Sequence, residues 1–214
     1  MKLYSYFRSS ATFRVRIALN LKGVPYEVVP LHLLKGGGEQ FSEAYIQTNP
    51  ASLIPALEDD GQVLTQSLAI IEYLDERYPE APLLPADPAS RAYVRAIALA
   101  IACDIHPLNN LRVLRYLVRD LKLPDEKKDA WVRHWIELGL GQVERLVASS
   151  GHSGRYAFAD QVTIADLAIV PQIFNAKRSG CDLAKAPTLN AITDRCMHLD
   201  AFARAQPSAQ PDAE

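Results

Sequence analysis

The sequence predicts two domains of different class: an α/β N-terminal domain over residues 1–79 and an all-α C-terminal domain over residues 88–214, with a linker at 80–87. Three observations carry this. Residues 2 to 78 alternate short apolar strands with amphipathic helices. Pro79, Pro82, Pro85 and Pro88 crowd a segment that can propagate neither helix nor strand ladder. From Pro88 onward the apolar residues recur at helical spacing.

The first strand runs from Lys2 to Ser5 and leads through a polar turn into a helix that ends at Leu21. A strand follows at Tyr26 to Pro30, then a helix near Gln40 to Gln47. Between them, Gly36-Gly37-Gly38 lacks the Lys-Ser/Thr and the strand-to-helix setting of a phosphate loop, and reads as a mobile loop. The strands Ala56 to Glu58 and Gln62 to Leu64 flank Asp59-Asp60-Gly61, where Asp-Gly supplies the positive dihedral of a tight hairpin. A helix from Gln66 to Tyr78 completes a βαβ unit followed by a ββα unit.

In the second domain Tyr93, Ile97 and Ile101 mark one helix face, and Trp131, Trp135, Leu138 and Gln142 another. Thr163-Ile164-Ala165-Asp166 reads as a capping box with Asp in the usual Glu or Gln position, so Asp166 is assigned to structure rather than to acid catalysis. The tail beyond Phe202 is rich in Pro, Ala, Ser and Gln, and its order depends on docking to the body.

A formal net charge of −2 gives no electrostatic reason to bind nucleic acid or an anionic membrane. No apolar run approaches a membrane span and the N-terminus lacks a signal-peptide core, so a cytoplasmic location is expected. Cys103, Cys181 and Cys196 are odd in number and widely spaced, which suits neither a disulfide framework nor a zinc site. They read as small core or surface residues rather than nucleophiles, and any reacting thiol has to come from outside.

Three elements point to chemistry. Ser9 and Ser10 stand where a strand gives way to a helix, so hydroxyls, backbone N–H groups and the positive end of a helix dipole converge on a place suited to a thiolate. A cis bond at Ile54-Pro55 would expose the Ile54 backbone at a strand edge, ready to pair with a peptide-like ligand. Gln66-Ser67 opens a second helix, whose hydroxyl and free N–H groups form a carboxylate site. By itself the Ser9-Ser10 pair would be an ordinary helix cap.

In this order and spacing the three elements resemble the thioredoxin-like domain of the cytosolic glutathione transferases, and most closely the zeta class. That class carries Ser-Ser-Cys-x-x-Arg-Val-Arg-Ile-Ala-Leu, matched here at Ser9, Ser10, Arg14, Val15, Arg16, Ile17, Ala18 and Leu19, with Ala11 in place of Cys. The similarity continues through Asn49-Pro50, Gln66 to Leu74, Ile105-His106-Pro107, Asn110 and Ile169 to Gln172, so it covers nearly the whole chain.

The resemblance implies a glutathione transferase fold, glutathione as cofactor, a homodimer, and cis–trans isomerisation of a maleyl keto acid, maleylpyruvate or maleylacetoacetate, in aromatic-compound catabolism. It implies glutathione contacts at Ser9, Ser10, Ala11, Gln40, Ile54, Pro55, Gln66, Ser67, His106 and Asn110, with no metal. The implied substrate is a small dicarboxylate, which would require cationic forks, and the candidates are Arg8, Arg112 and Arg178. Arg8 joins Ser9 and Ser10 as a catalytic candidate. His106 is expected a turn and a half before Arg112 on one helical stretch. Arg14 and Arg16 read as structural, their helix directing them past the turn where the thiol would lie. The competing readings are a glutathione conjugase or dehalogenase, which has less use for two carboxylate-binding arginines, and a binding module of the same fold without chemistry.

Overall fold

The computed structural model describes residues 1–214, which group into two compact units: Met1–Leu83 with Met197–Glu214, and Leu84–Cys196. In the first unit the strands β1 (Lys2–Ser5), β2 (Glu27–Pro30), β3 (Ala56–Asp59) and β4 (Gln62–Thr65) form one sheet in the order β2-β1-β3-β4. β1 runs parallel to β2 and antiparallel to β3, and β3 pairs antiparallel with β4. The parallel pair requires a crossover, and helix α1 (Ser10–Leu21) supplies it. Asp60 and Gly61, at φ 47° and 77°, make the expected hairpin reversal.

Helices α1 and α3 (Ser67–Arg77) pack together. The apolar residues Ile17, Leu19, Ile70, Ile71 and Leu74 close a core with Leu3 and Leu57 of the sheet, all fully buried. The helix expected near Gln40 to Gln47 is split. One 3-10 turn covers Lys35–Gly37 and another Glu39–Phe41, before Ser42 caps the short helix α2 (Glu43–Thr48) through the Tyr45 N–H. Gly36, Gly37 and Gly38, all at positive φ, lie in and beside tight turns.

The proline-rich segment begins under a firm clamp. The buried Lys22 ammonium donates to Asp75 Oδ1 at 2.7 Å and to the carbonyls of Tyr78, Glu80 and Ala81, and Asp75 also accepts from the Leu83 N–H. The tail departs from the division expected from sequence, since residues 197–214 pack with the α/β unit rather than with the helices. Phe202 and Ala205 are fully buried, Arg16 Nε donates to the Ala205 carbonyl at 2.9 Å, and Asn20 donates to the Ala201 carbonyl.

The second unit is helical throughout: α4 (Pro88–Leu99), α5 (Leu111–Arg119), α6 (Asp125–Ser149), α7 (Ile164–Arg178) and α8 (Pro187–Met197). α4 packs on α7, whose residues from Ile164 to Ile173 are all buried. The Thr163 capping box is present, with Asp166 Oδ2 accepting from the Thr163 N–H at 2.8 Å and Oδ1 from the Ala157 N–H at 2.9 Å. Along α6 the buried face is Val132, Ile136, Leu140, Val143 and Val147, while Leu138, expected with the tryptophans on a packed face, is 44% exposed. Glu144 of α6 caps α8 by accepting from the Thr188 and Leu189 N–H groups. No helix is long and apolar enough to cross a membrane.

Candidate functional site

The register of the sheet decides which loops meet. Tyr4 lies opposite Ala56, Ala56 opposite Thr65, and Ser5 opposite Pro30. The chain leaving β1 toward Ser9, the chain entering β3 through Ile54 and Pro55, the chain leaving β4 into Gln66, and the chain leaving β2 toward Gln40 therefore all emerge at one end of the sheet. Residues far apart in sequence are gathered there by strand pairing alone.

At that end Ser9 caps α1, its Oγ accepting from the Thr12 N–H at 3.2 Å. The capping and functional readings of this residue are compatible, because a hydroxyl that accepts at its oxygen still carries a proton to donate. Ser10 and Ala11 form the first turn of α1, with Ser10 buried. Arg8 folds back on its own segment, donating to the Tyr6 hydroxyl from Nη2 at 2.6 Å and lying over the Phe7 ring.

Ile54-Pro55 is cis and directly precedes β3, an inner strand of the sheet. The half-buried Ile54 thus lies at the mouth of the sheet rather than along an edge strand. Gln66 stands at φ 69° ahead of α3, a conformation disfavoured for a side chain bearing Cβ and one that recurs at functional sites. Ser67 is buried at the first position of α3, and its Oγ accepts from Arg14 Nη1 at 3.2 Å. A cation thereby joins the N-terminus of α3 and adds to its preference for a carboxylate.

Reading Arg14 as purely structural from sequence missed this contact. α1 and α3 had to be packed together before position 14 could face position 67. Gln40, which as a loop residue could have been exposed, is 4% exposed, and its Oε1 is buried without a hydrogen-bond partner.

The candidates of the helical unit sit on broken helix. α4 widens into a π turn over Ala100–Ile105, a 3-10 turn covers His106–Asn109, and extended backbone at Asn110 precedes α5. His106 and Arg112 are consequently on different elements, contrary to the single helical stretch expected. The helical path stops at Asn110, whose extended backbone at φ −66° and ψ 145° ends the 3-10 turn and opens α5. Asn110 caps α5, its Oδ1 accepting from the Arg112 N–H at 3.1 Å.

Arg178 ends α7 and donates from Nη2 to Asn175 Oδ1 at 2.8 Å. Asn175 in turn donates to Asn109 Oδ1 at 3.1 Å, and Asn109 to the Ile105 carbonyl at 3.0 Å. This relay ties Arg178 to the turn that carries His106 and leads into Arg112, and the Trp131 indole steadies the same turn by donating to the Leu108 carbonyl at 2.7 Å. Asn109 and Asn175 were not singled out in the sequence, where an isolated Asn carries no distinguishing signal.

Residues 3–82 match the family model described as glutathione S-transferase, N-terminal domain. A probable maleylacetoacetate isomerase of Vibrio cholerae is 48% identical over 211 residues, covering 99% of this chain and 97% of that protein. A solved structure described as holo maleylpyruvate isomerase, a bacterial glutathione S-transferase of the zeta class, superposes with a TM-score of 0.97 at 47% identity and full coverage of both chains. The chain belongs to the zeta class of glutathione transferases. Another similar structure, a maleylacetoacetate isomerase of Methylobacterium extorquens solved with bound malonate and glutathione, gives a TM-score of 0.96 at 41% identity, again with both chains fully covered.

This zeta-class chain has no thiol to place at the start of α1, where Ala11 stands. Two of its three cysteines do not substitute. Burial pushes the Cys181 thiol up to about 11 and the fully buried Cys196 thiol higher still, so neither offers a thiolate near neutrality.

Proposed function

We propose that the chain is a glutathione-dependent cis–trans isomerase that converts maleylpyruvate or maleylacetoacetate to the fumaryl isomer. The observation that carries this reading is Ser9, which spends its oxygen on the α1 cap and keeps its proton for a neighbouring sulfur. The donors at this end of the sheet fit the cofactor. The buried, unpartnered Gln40 Oε1 asks for an N–H such as a peptide ligand provides, and Ser67 with Arg14 and the α3 N-terminus asks for a carboxylate. Glutathione, when bound, supplies the thiolate that adds reversibly to the maleyl double bond and so allows rotation about it.

The protein's part is to favour the charged sulfur and to hold the anionic substrate. A thiol of ordinary pKa near 8.5 is shifted toward its anion by a hydroxyl donor and a helix N-terminus, which Ser9, Ser10 and the N–H of Ala11 provide. Ile54 and Pro55 offer main-chain pairing, and Gln66 and Ser67 receive the carboxylate end of the cofactor. In the helical unit Arg112 and Arg178 bind the substrate carboxylates as planar forks, with Arg8 as a third cation, and His106 and Asn110 contribute to binding rather than to proton transfer. The malonate in the Methylobacterium extorquens relative agrees with a dicarboxylate site in this class.

The enzyme is read as a cytoplasmic homodimer, as the class resemblance implies; light scattering on the purified protein tests the assembly. The functional test is conversion of each maleyl keto acid with and without glutathione. Turnover of at least one substrate that vanishes when glutathione is omitted is expected, and failure of both in its presence would overturn the reading. The ratio of kcat/KM for the two substrates then assigns the preferred one.

A further inference from the structure

The turn that delivers Ser9 is held from both sides by charged groups. It is closed by the Ser9 N–H donating to the Tyr6 carbonyl at 2.9 Å, which leaves Phe7 and Arg8 as its two central residues. The Phe7 N–H, which points out of such a turn, donates to Asp212 Oδ2 at 3.0 Å. The Phe7 carbonyl accepts from Arg16 Nη2 at 3.0 Å. Arg16 is fully buried, and its remaining nitrogens donate to Ser5 Oγ and to the Ala205 carbonyl. Burial lowers its pKa to about 10, while the charges of Tyr26 and Asp212 act the other way.

The carboxylate of the tail and the guanidinium of α1 thus grip the two hydrogen-bonding groups of one residue, two positions before Ser9. A second anchor lies close by in the tail. The Glu214 carboxylate meets Lys35 Nζ at 2.7 Å and His32 Nε2 at 3.2 Å, while His32 Nδ1 accepts from the Leu34 and Lys35 N–H groups. Gln210, buried, pins the intervening chain by donating to the Arg204 and Gln206 carbonyls.

We infer that Asp212 is a positioning residue for Ser9, with the tail acting as a strap that fixes the β1–α1 turn through the Phe7 amide. A charge-assisted bond to a backbone N–H is stronger and more directional than one from water, so it narrows the conformations open to the turn. Ser9 acts on sulfur by a single hydrogen bond, and a hydroxyl displaced by an ångström loses most of that bond. The inference rests on the reading of Ser9 as the thiolate-stabilising group, and its test separates the two.

Three variants, Asp212→Ala, Asp212→Asn and Ser9→Ala, are compared in three measurements. These are hydrogen exchange of the Phe7 to Ser9 amides without glutathione, ultraviolet titration of the bound thiol, and the split of isomerase kinetics into kcat and KM. In Asp212→Ala the amides should lose protection and the thiol should titrate at higher pH. Its kcat should fall roughly 10-fold, with the KM for glutathione within about 2-fold of wild type, as expected of a misplaced rather than a missing group. Asp212→Asn should recover most of this, because its amide oxygen still accepts from the Phe7 N–H.

A wild-type thiol titration and kcat in Asp212→Ala, alongside a clear shift in Ser9→Ala, would overturn the inference and leave the functional reading intact. A wild-type titration in Ser9→Ala would overturn the functional reading, and the inference with it. A loss in Asp212→Ala confined to melting temperature would also reject the strap. If Asp212→Ala does not fold, Asp212→Asn decides: wild-type thiol titration with retained Phe7 protection supports the strap, and a shifted titration with retained protection rejects it.

Discussion

Ser9 caps α1, and the proposed function asks its hydroxyl to donate to the thiolate as well, so Ser9→Ala should show two separable losses. Turnover is expected to fall about 100-fold, the usual cost of removing one hydrogen bond to a reacting charge. Stability should fall by about 1 kcal/mol from the lost cap. Glutathione affinity should barely change, and steady-state kinetics with a thermal melt check all three. Ser67→Ala should behave in the opposite way, weakening glutathione with less effect on kcat, because it removes a group from the carboxylate end. Arg14→Met tests the cation behind it: if Arg14 Nη1 supports the anion through Ser67, glutathione affinity should drop in this variant as well. Calorimetric titration with glutathione reads both.

At the scale of elements, the helical unit depends on how α7 begins. Asp166 is completely buried and accepts from the Ala157 N–H and from the Thr163 N–H and hydroxyl, so one side chain starts α7 and fixes the segment before it. Asp166→Ala should cost about 3 kcal/mol, combining a lost cap with buried N–H groups left unpaired, and chemical denaturation measures it. Burial also pushes the Asp166 carboxyl up to about 6 against the pull of those donors. The sign of the pH effect follows. Between about pH 4 and pH 6 the unfolded chain has given up a proton that the folded chain keeps, so this group's contribution to stability is greatest below that window and is lost as pH rises through it. The Tm difference between wild type and Asp166→Asn should therefore move against wild type from pH 4 to pH 6 and level off above.

For the whole molecule, the arginines of the helical unit distinguish an isomerase from a general conjugating enzyme. If Arg112 and Arg178 bind the carboxylates of a dianion, replacing either with Ala should cost roughly 1.5–3 kcal/mol in kcat/KM for the maleyl substrate. Conjugation of glutathione to a neutral electrophile should scarcely change. Arg→Lys should restore only part of the loss, since an ammonium retains charge without the planar fork. Equal losses for charged and neutral substrates would mean that these residues support the fold. Asn109→Ala, which breaks the relay from Arg178 to the Ile105 carbonyl, should mimic a milder Arg178→Ala in the same assay.

Local rules were enough for the elements whose cause lies in neighbouring residues. The strand-turn-helix at Ser9, the Asp60-Gly61 hairpin and the Thr163 capping box were all legible, because propensity, turn chemistry and capping act over a few positions. The class motif supplied Gln40, His106 and Asn110 as candidates without saying how they are held. Packing decided the rest. Arg14 could be joined to Ser67, Asp212 to Phe7, and Asn175 to Asn109 only once elements far apart in sequence had met. The break between His106 and Arg112 likewise depended on Asn110 taking up extended backbone and capping α5, where a continuous helical pattern had been expected. Local sequence was sufficient for the class of most segments and for the chemical types at the site, though not for the broken helices near Gln40 and His106. Tertiary structure alone decided which of the buried charges are partners, because the cost of burying a charge is relieved only by a group in contact with it, and contact between distant positions is set by the fold.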